Sequence, residues 1–220
     1  MKRNDLLKIT IICILISIIY TILVKYMDVA AIGPEQSKVG FAGMNSYFRD
    51  LIGYNKIWYT ITKYLGILPF LLVAYFGLIG LKQLYDRRSL LQVDKRILLL
   101  GVFYVLLGLV YIFFEKVIIN YRPFLQDGVL EASYPSSHTM LAICICSTAI
   151  YVGKFYIKNK RFLKIFNACN IALMIILVLG RLVSGVHWFS DILGGIIIST
   201  TLVFIYLTAI NYWEHDKKRI

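Results

Sequence analysis

Six stretches of this chain run apolar for about the length of a membrane-spanning helix, and short polar segments separate them. A hydrocarbon core about 30 Å thick needs roughly 20 apolar residues in helical form. The pattern therefore predicts spans near 6–26, 57–82, 97–119, 136–153, 163–183 and 191–213. The expected fold is all-α: a six-transmembrane-helix integral membrane bundle, with 1–220 forming a single domain. Pro69 falls inside the second run and predicts a kink there. The connection 27–56 is the longest, and Phe48, Leu51 and Ile52 would share one face of a short interfacial helix within it. The first run follows Lys2 and Arg3 but exceeds a signal-peptide core, and no small-residue cleavage site follows it, so it reads as a retained helix.

Composition supports a membrane protein. Hydrophobic residues make up 59% and charged residues 16%, against about 45–50% and 25% in ordinary soluble domains. The net charge of +12 would suggest nucleic acid in a soluble protein. In so apolar a chain it points to loops facing anionic lipid, with no nucleic-acid partner. Lys2, Arg3, Lys8, Lys82, Arg87, Arg88, Lys95, Arg96, Lys154, Lys158, Lys160, Arg161, Lys164, Lys217, Lys218 and Arg219 fall on one side of the predicted spans, sixteen of the 24 basic residues. Both termini are thus expected in the cytoplasm, with 27–56, 120–135 and 184–190 facing outward. Cys13, Cys144, Cys146 and Cys169 lie in apolar runs without zinc-site spacing and read as reduced small hydrophobes. Gly194-Gly195 permits close helix packing within the monomer.

The polar chemistry gathers in two stretches, both on the outward side. One runs from Glu115-Lys116 through Arg122-Pro123 to Pro135-Ser136-Ser137-His138; the other runs from Arg181 through His187 to Asp191. Pro135 and Ser136 mark a helix start, whose free N–H groups suit an anion. His187 and Asp191 are four apart, so a carboxylate stands beside an imidazole and fixes its tautomer. Arg122 and Arg181 stand at the outer ends of spans, where charge is costly and two guanidinium groups can clamp a phosphoryl group. Each feature alone has a plain structural reading: a capped helix, an interfacial ion pair, arginines reaching lipid phosphates. Together they supply a nucleophile, its carboxylate partner, a second histidine and two anion holders, which is a set for phosphoryl transfer through a histidine intermediate.

With these residues the sequence resembles the type-2 phosphatidic acid phosphatase superfamily, marked by K-x6-R-P, P-S-G-H and S-R-x5-H-x3-D. Pro135-Ser136-Ser137-His138 is similar to the second motif, and Gly180-Arg181 with His187 and Asp191 to the third. The resemblance covers nearly the whole chain. It implies His187 as nucleophile, Asp191 orienting it, and His138 as general acid to the leaving alkoxide. Arg122, Arg181, Ser136 and Ser137 would hold the phosphate, with no metal and no cofactor. Three departures stand out. Glu115 occupies the motif lysine position, and Lys116, one residue on, is the expected substitute through its long side chain. Ser137 replaces a glycine, and Gly180 replaces a serine.

The implied activity is hydrolysis of a phospholipid or polyprenyl phosphate at the outer leaflet. The candidate substrates are undecaprenyl diphosphate, phosphatidylglycerol phosphate and phosphatidic acid. The small single module suits a bacterial plasma membrane, and oligomeric state is not legible. A lipid phosphotransferase would use the same residues with another acceptor. A catalytically impaired protein that binds or transports anionic lipid is favoured by the altered first motif and opposed by the His187/Asp191 pair. A b-type haem protein with His138 and His187 as axial ligands is a third class, to be separated by visible absorbance.

Overall fold

The computed structural model describes residues 3–125 and 128–216, with side chains to residue 214. Lys2, Lys217, Lys218 and Arg219, used above for orientation, lie outside the described residues. Among the described residues eight α-helices follow one another: α1 (Arg3–Tyr26), α2 (Ala42–Ile52), α3 (Lys56–Leu65), α4 (Leu68–Arg87), α5 (Lys95–Lys116), α6 (Ser137–Tyr156), α7 (Lys160–Val183) and α8 (Phe189–Asp216). Counting α3 and α4 as one interrupted span, six are long and apolar enough to cross a membrane. The predicted spans and the observed helices therefore agree to within a few residues at most ends.

The second span is the exception. It breaks between Leu65 and Leu68, and Pro69 sits in the first turn of α4. A proline there costs no hydrogen bond, because the first N–H groups of a helix have no intrahelical acceptor. Asn55 starts α3 by accepting from the N–H groups of Ile57 and Trp58, the usual cap chemistry. Asn159 and Asp94 do the same for α7 and α5.

Helix α6 is the hub. It packs against α4, α5, α7 and α8, while α1 lies along α8 and α3 along α7. Met140, Cys144, Ile145, Ala149 and Val152 of α6 are buried with Phe103, Leu107, Leu202 and Tyr206. Lipid tails are as apolar as leucine, so burying apolar area does not by itself drive helix association here. Close packing and interhelical hydrogen bonds have to hold the bundle. Along α1 and α8, Thr10 meets Thr208 at 2.7 Å and Ser17 meets Thr201 at 2.8 Å. Gly194 and Gly195 let α8 close on its neighbours within the chain. A Cβ at 194 would stand 2.3 Å from the Tyr134 ring, and one at 195 would stand 3.0 Å from Thr139. The outer surface is a belt of exposed apolar side chains, including Ile11, Leu15, Ile19, Leu78, Val102 and Leu109. All four cysteines are free; Cys144 and Cys146 are buried and Cys169 is exposed.

Helix α2 confirms a short helix in the long connection, with a different use of its residues. Leu51 is exposed, Phe48 stacks on Phe189 with ring centroids 3.9 Å apart, and Asn45 is fully buried.

Candidate active site

His187 lies in the turn before α8, not on the helix itself, because α8 begins at Phe189. Its ring is buried, and Nδ1 stands 3.0 Å from the Ser133 carbonyl oxygen and 3.1 Å from the Ser133 hydroxyl. A carbonyl can only accept, so Nδ1 carries the proton. Nε2 is then the bare nitrogen, and it has no protein partner. Burial, then the charges of Arg122 and Arg181, holds this imidazole well below its usual pKa. The ring therefore stays neutral, with its lone pair available for attack.

Asp191 is not directly bonded to that ring. Its Oδ2 lies 3.9 Å from His187 Nδ1, and the Ser133 hydroxyl stands between, donating to Oδ2. The order of donors is consistent: imidazole N–H to Ser133 oxygen, Ser133 hydroxyl to carboxylate. Asp191 Oδ2 also accepts from the Trp188 N–H at 3.0 Å, and Oδ1 accepts from Asn120 Nδ2 at 3.3 Å. The carboxylate thus steadies the histidine through a hydroxyl and caps the start of α8 at once. Ser133 and Asn120 meet because 120–122 and 131–133 pair as a short antiparallel ladder, with Ser133 N–H donating to the Asn120 carbonyl. Neither residue was picked out from the sequence.

His138 sits on the first turn of α6, as its position after Pro135-Ser136 predicts. Arg181 Nη2 is 2.7 Å from His138 Nδ1, and Arg181 is buried near the end of α7. The second-span break supplies the room: a Cβ on Gly66 would stand 2.7 Å from His138 Cδ2. Gly66→Ala is therefore expected to displace the imidazole and lower activity by about tenfold to a hundredfold, the cost of misplacing a catalytic group by an ångström. Measuring kcat for this variant beside Gly77→Ala checks it, since Cβ at 77 meets nothing within 4 Å. Equal activities would refute the steric argument.

Of the residues expected to hold phosphate, Arg122 and Ser137 share one crevice with His187. Arg122, Ser133, Pro135, Ser137 and His187 line one narrow opening, together with Tyr111, Phe114 and Glu115. Arg122 lies 3.2 Å from Glu131 through Nε, while its Nη1 has no hydrogen-bond partner. Arg181 Nε and the Ser136 hydroxyl are likewise buried and unpartnered. Ser136 occupies the cap position of α6 without using its side chain as a cap. Buried polar atoms are normally paired. So many unpaired donors on a cationic pocket, at a helix start, leave a position fitted to a multivalent oxygen anion.

The pattern of the PAP2 superfamily matches residues 55–215, most of the chain. The chain belongs to the PAP2 superfamily. As a member it is a membrane-embedded lipid phosphatase. No curated protein matches the sequence. Among solved structures, the first transmembrane PAP2 type phosphatidylglycerolphosphate phosphatase from Bacillus subtilis is similar in fold. The identity is 19% and the TM-score 0.61, over 92% of this chain and 96% of that one.

Lys116, Arg181, Ser136 and His138, all expected at the site, are not among the residues that line this crevice. Lys116 is the exposed last residue of α5 and does not line the crevice, whereas Glu115 does. Helix α5 ends at Lys116, and residues 117–121, which separate it from Arg122, lie beyond the helix. One step along a helix turns a side chain by about 100°. The crevice thus carries the Glu115 carboxylate at the motif lysine position, with Arg122 as a cation that lines it.

Proposed function

We propose that this PAP2 protein hydrolyses a lipid phosphate or diphosphate through a phosphohistidine on His187, at the outer face of the membrane. The bare, buried Nε2 of His187 beside unpartnered arginine and serine donors carries the reading. Phosphate oxygens would take hydrogen bonds from Arg122, Arg181, Ser136 and the N–H groups of Ser137 and His138, which helix geometry leaves without intrahelical acceptors. Nε2 then attacks phosphorus in line with the lipid oxygen. The P–O bond breaks, and protonated His138 gives its proton to the departing alkoxide. Neutral His138 next takes a proton from water as that water attacks the phosphohistidine. This releases phosphate, frees Nε2 and restores the starting protonation. Arg181 fits both halves: its Nη2 now donates to His138 Nδ1 at 2.7 Å, and turning that N–H onto bound phosphate frees the nitrogen to take a proton. The basic residues of the connections between α4 and α5 and between α6 and α7 lie at the opposite end of the bundle, which supports an outward-facing site.

The test is phosphate release by the purified protein in detergent with EDTA present. Undecaprenyl diphosphate, phosphatidylglycerol phosphate and phosphatidic acid are offered side by side. Release from at least one is expected, with their ranking giving the substrate. No release from any of the three, with the protein monodisperse, would overturn the hydrolase reading and move phosphoryl transfer between lipids ahead of it.

A further inference from the structure

We infer that the segment 39–45, which precedes the family-matched residues, is a working part of the active site: through Gly40 and Asn45 it clamps Asn120 and Ser190, and these position Asp191. The inference rests on the reading of His187 and Asp191 as a catalytic pair. Asn45 is fully buried at the start of α2. Its Nδ2 donates to the Gly40 carbonyl at 2.8 Å and to Ser190 Oγ at 2.9 Å, and its Oδ1 accepts from the Ser190 N–H at 3.0 Å. The Gly40 N–H donates to Asn120 Oδ1 at 3.0 Å. That bond fixes which way the Asn120 amide faces, because its oxygen is committed to Gly40. Nδ2 must therefore point toward Asp191 Oδ1 at 3.3 Å and Ser190 Oγ at 3.4 Å.

The backbone at Gly40 is set equally firmly. A Cβ there would overlap the carbonyl of Val24 at the end of α1. Tyr20 of α1 adds a hydrogen bond from its hydroxyl to the Ser190 carbonyl at 3.1 Å. Both asparagines and Ser190 are at most 1% exposed. Water cannot replace these partners, and an unpaired amide in such a place is costly. Apart from the bonds that tie both asparagines to Gly40, the side-chain hydrogen bonds of Asn45 and Asn120 end on residues 190 and 191. Asn45 and Asn120 are positioning residues: they act on the substrate only through Asp191, Ser133 and His187.

The test is a pair of double-mutant cycles. Asn45→Ala and Asn120→Ala are made singly and in an Asp191→Ala background, with kcat, KM and the thermal midpoint read in detergent. Each single change is expected to lower kcat by about tenfold to a hundredfold, as loss of a supporting partner does, with KM within about twofold. In the Asp191→Ala background each should cost about twofold or less, because residues that act as a unit are not additive. An equal fold loss in both backgrounds, or unchanged kcat, would overturn the inference. Ser190→Ala, which removes the hydroxyl and leaves the backbone bonds, stands in if Asn45→Ala does not fold. The thermal midpoints need no substrate. If the wild type releases no phosphate, the hydrolase reading falls, while sub-additive midpoint losses still support the clamp and additive ones refute it.

Discussion

Replacing His187 by alanine is expected to abolish phosphate release, with kcat falling by about four to six orders of magnitude, the scale seen when a covalent nucleophile is removed. The reason is geometric. Nε2 is the one ring nitrogen without a protein partner, because Nδ1 is committed to Ser133. His138 is not so placed, since both of its nitrogens face Arg181. Brief reaction with a substrate labelled on phosphorus should trap label on the wild-type protein, labile to acid and stable to alkali, and none on the variant. Release by the variant within about a hundredfold of wild type would show that water attacks directly and that His187 only binds.

Arg181→Lys is the second large effect, although it keeps the charge. A loss of about a hundredfold to a thousandfold in kcat/KM is expected, the size seen when one preorganised transition-state donor is lost. Arg181 uses its planar group in several directions at once: Nη2 toward His138 at 2.7 Å, Nη1 toward Thr62 at 3.4 Å, and Nε buried without a partner. An ammonium is a point charge on a flexible stem and cannot span these positions. The change also leaves the Thr62 hydroxyl and the His138 ring without their fixed neighbour. Kinetics on the preferred lipid, beside Arg49→Lys on the exposed face of α2, provide the comparison. If Arg181→Lys kept more than half of wild-type activity, charge alone would suffice and the clamp would be disproved.

The six spans were readable because each is a continuous apolar run, and bilayer thickness admits few other interpretations of such runs. The break in the second span was half readable. Pro69 marked the place, but the turn falls at Leu65–Leu68, where Gly66 makes way for His138. His138, Arg181, His187 and Asp191 stand out in the sequence through spacing within short stretches of chain. Asn45 and Asn120 were not, because a single asparagine carries no periodic signal. The partner of Asn45 at residue 190 is 145 positions away. Ser133 was missed for a related reason: its place beside His187 exists only once segment 131–133 bridges to 120–122. Lys116 was expected at the phosphate because a long side chain can cross an offset. Neighbours on α5 point about 100° apart, and it is Glu115 that lines the crevice.

The belt of exposed apolar side chains changes what concentration means for this protein. A substrate whose tails stay among lipids reaches the crevice by diffusion within a sheet, not through bulk water. Its encounter rate then scales with its mole fraction in the leaflet, so added inert lipid should slow turnover even when the amount of substrate per millilitre is constant. The lipid left after phosphate departs remains in that same sheet. Products compete with substrate in two dimensions until another enzyme consumes them, or until they cross to the other leaflet.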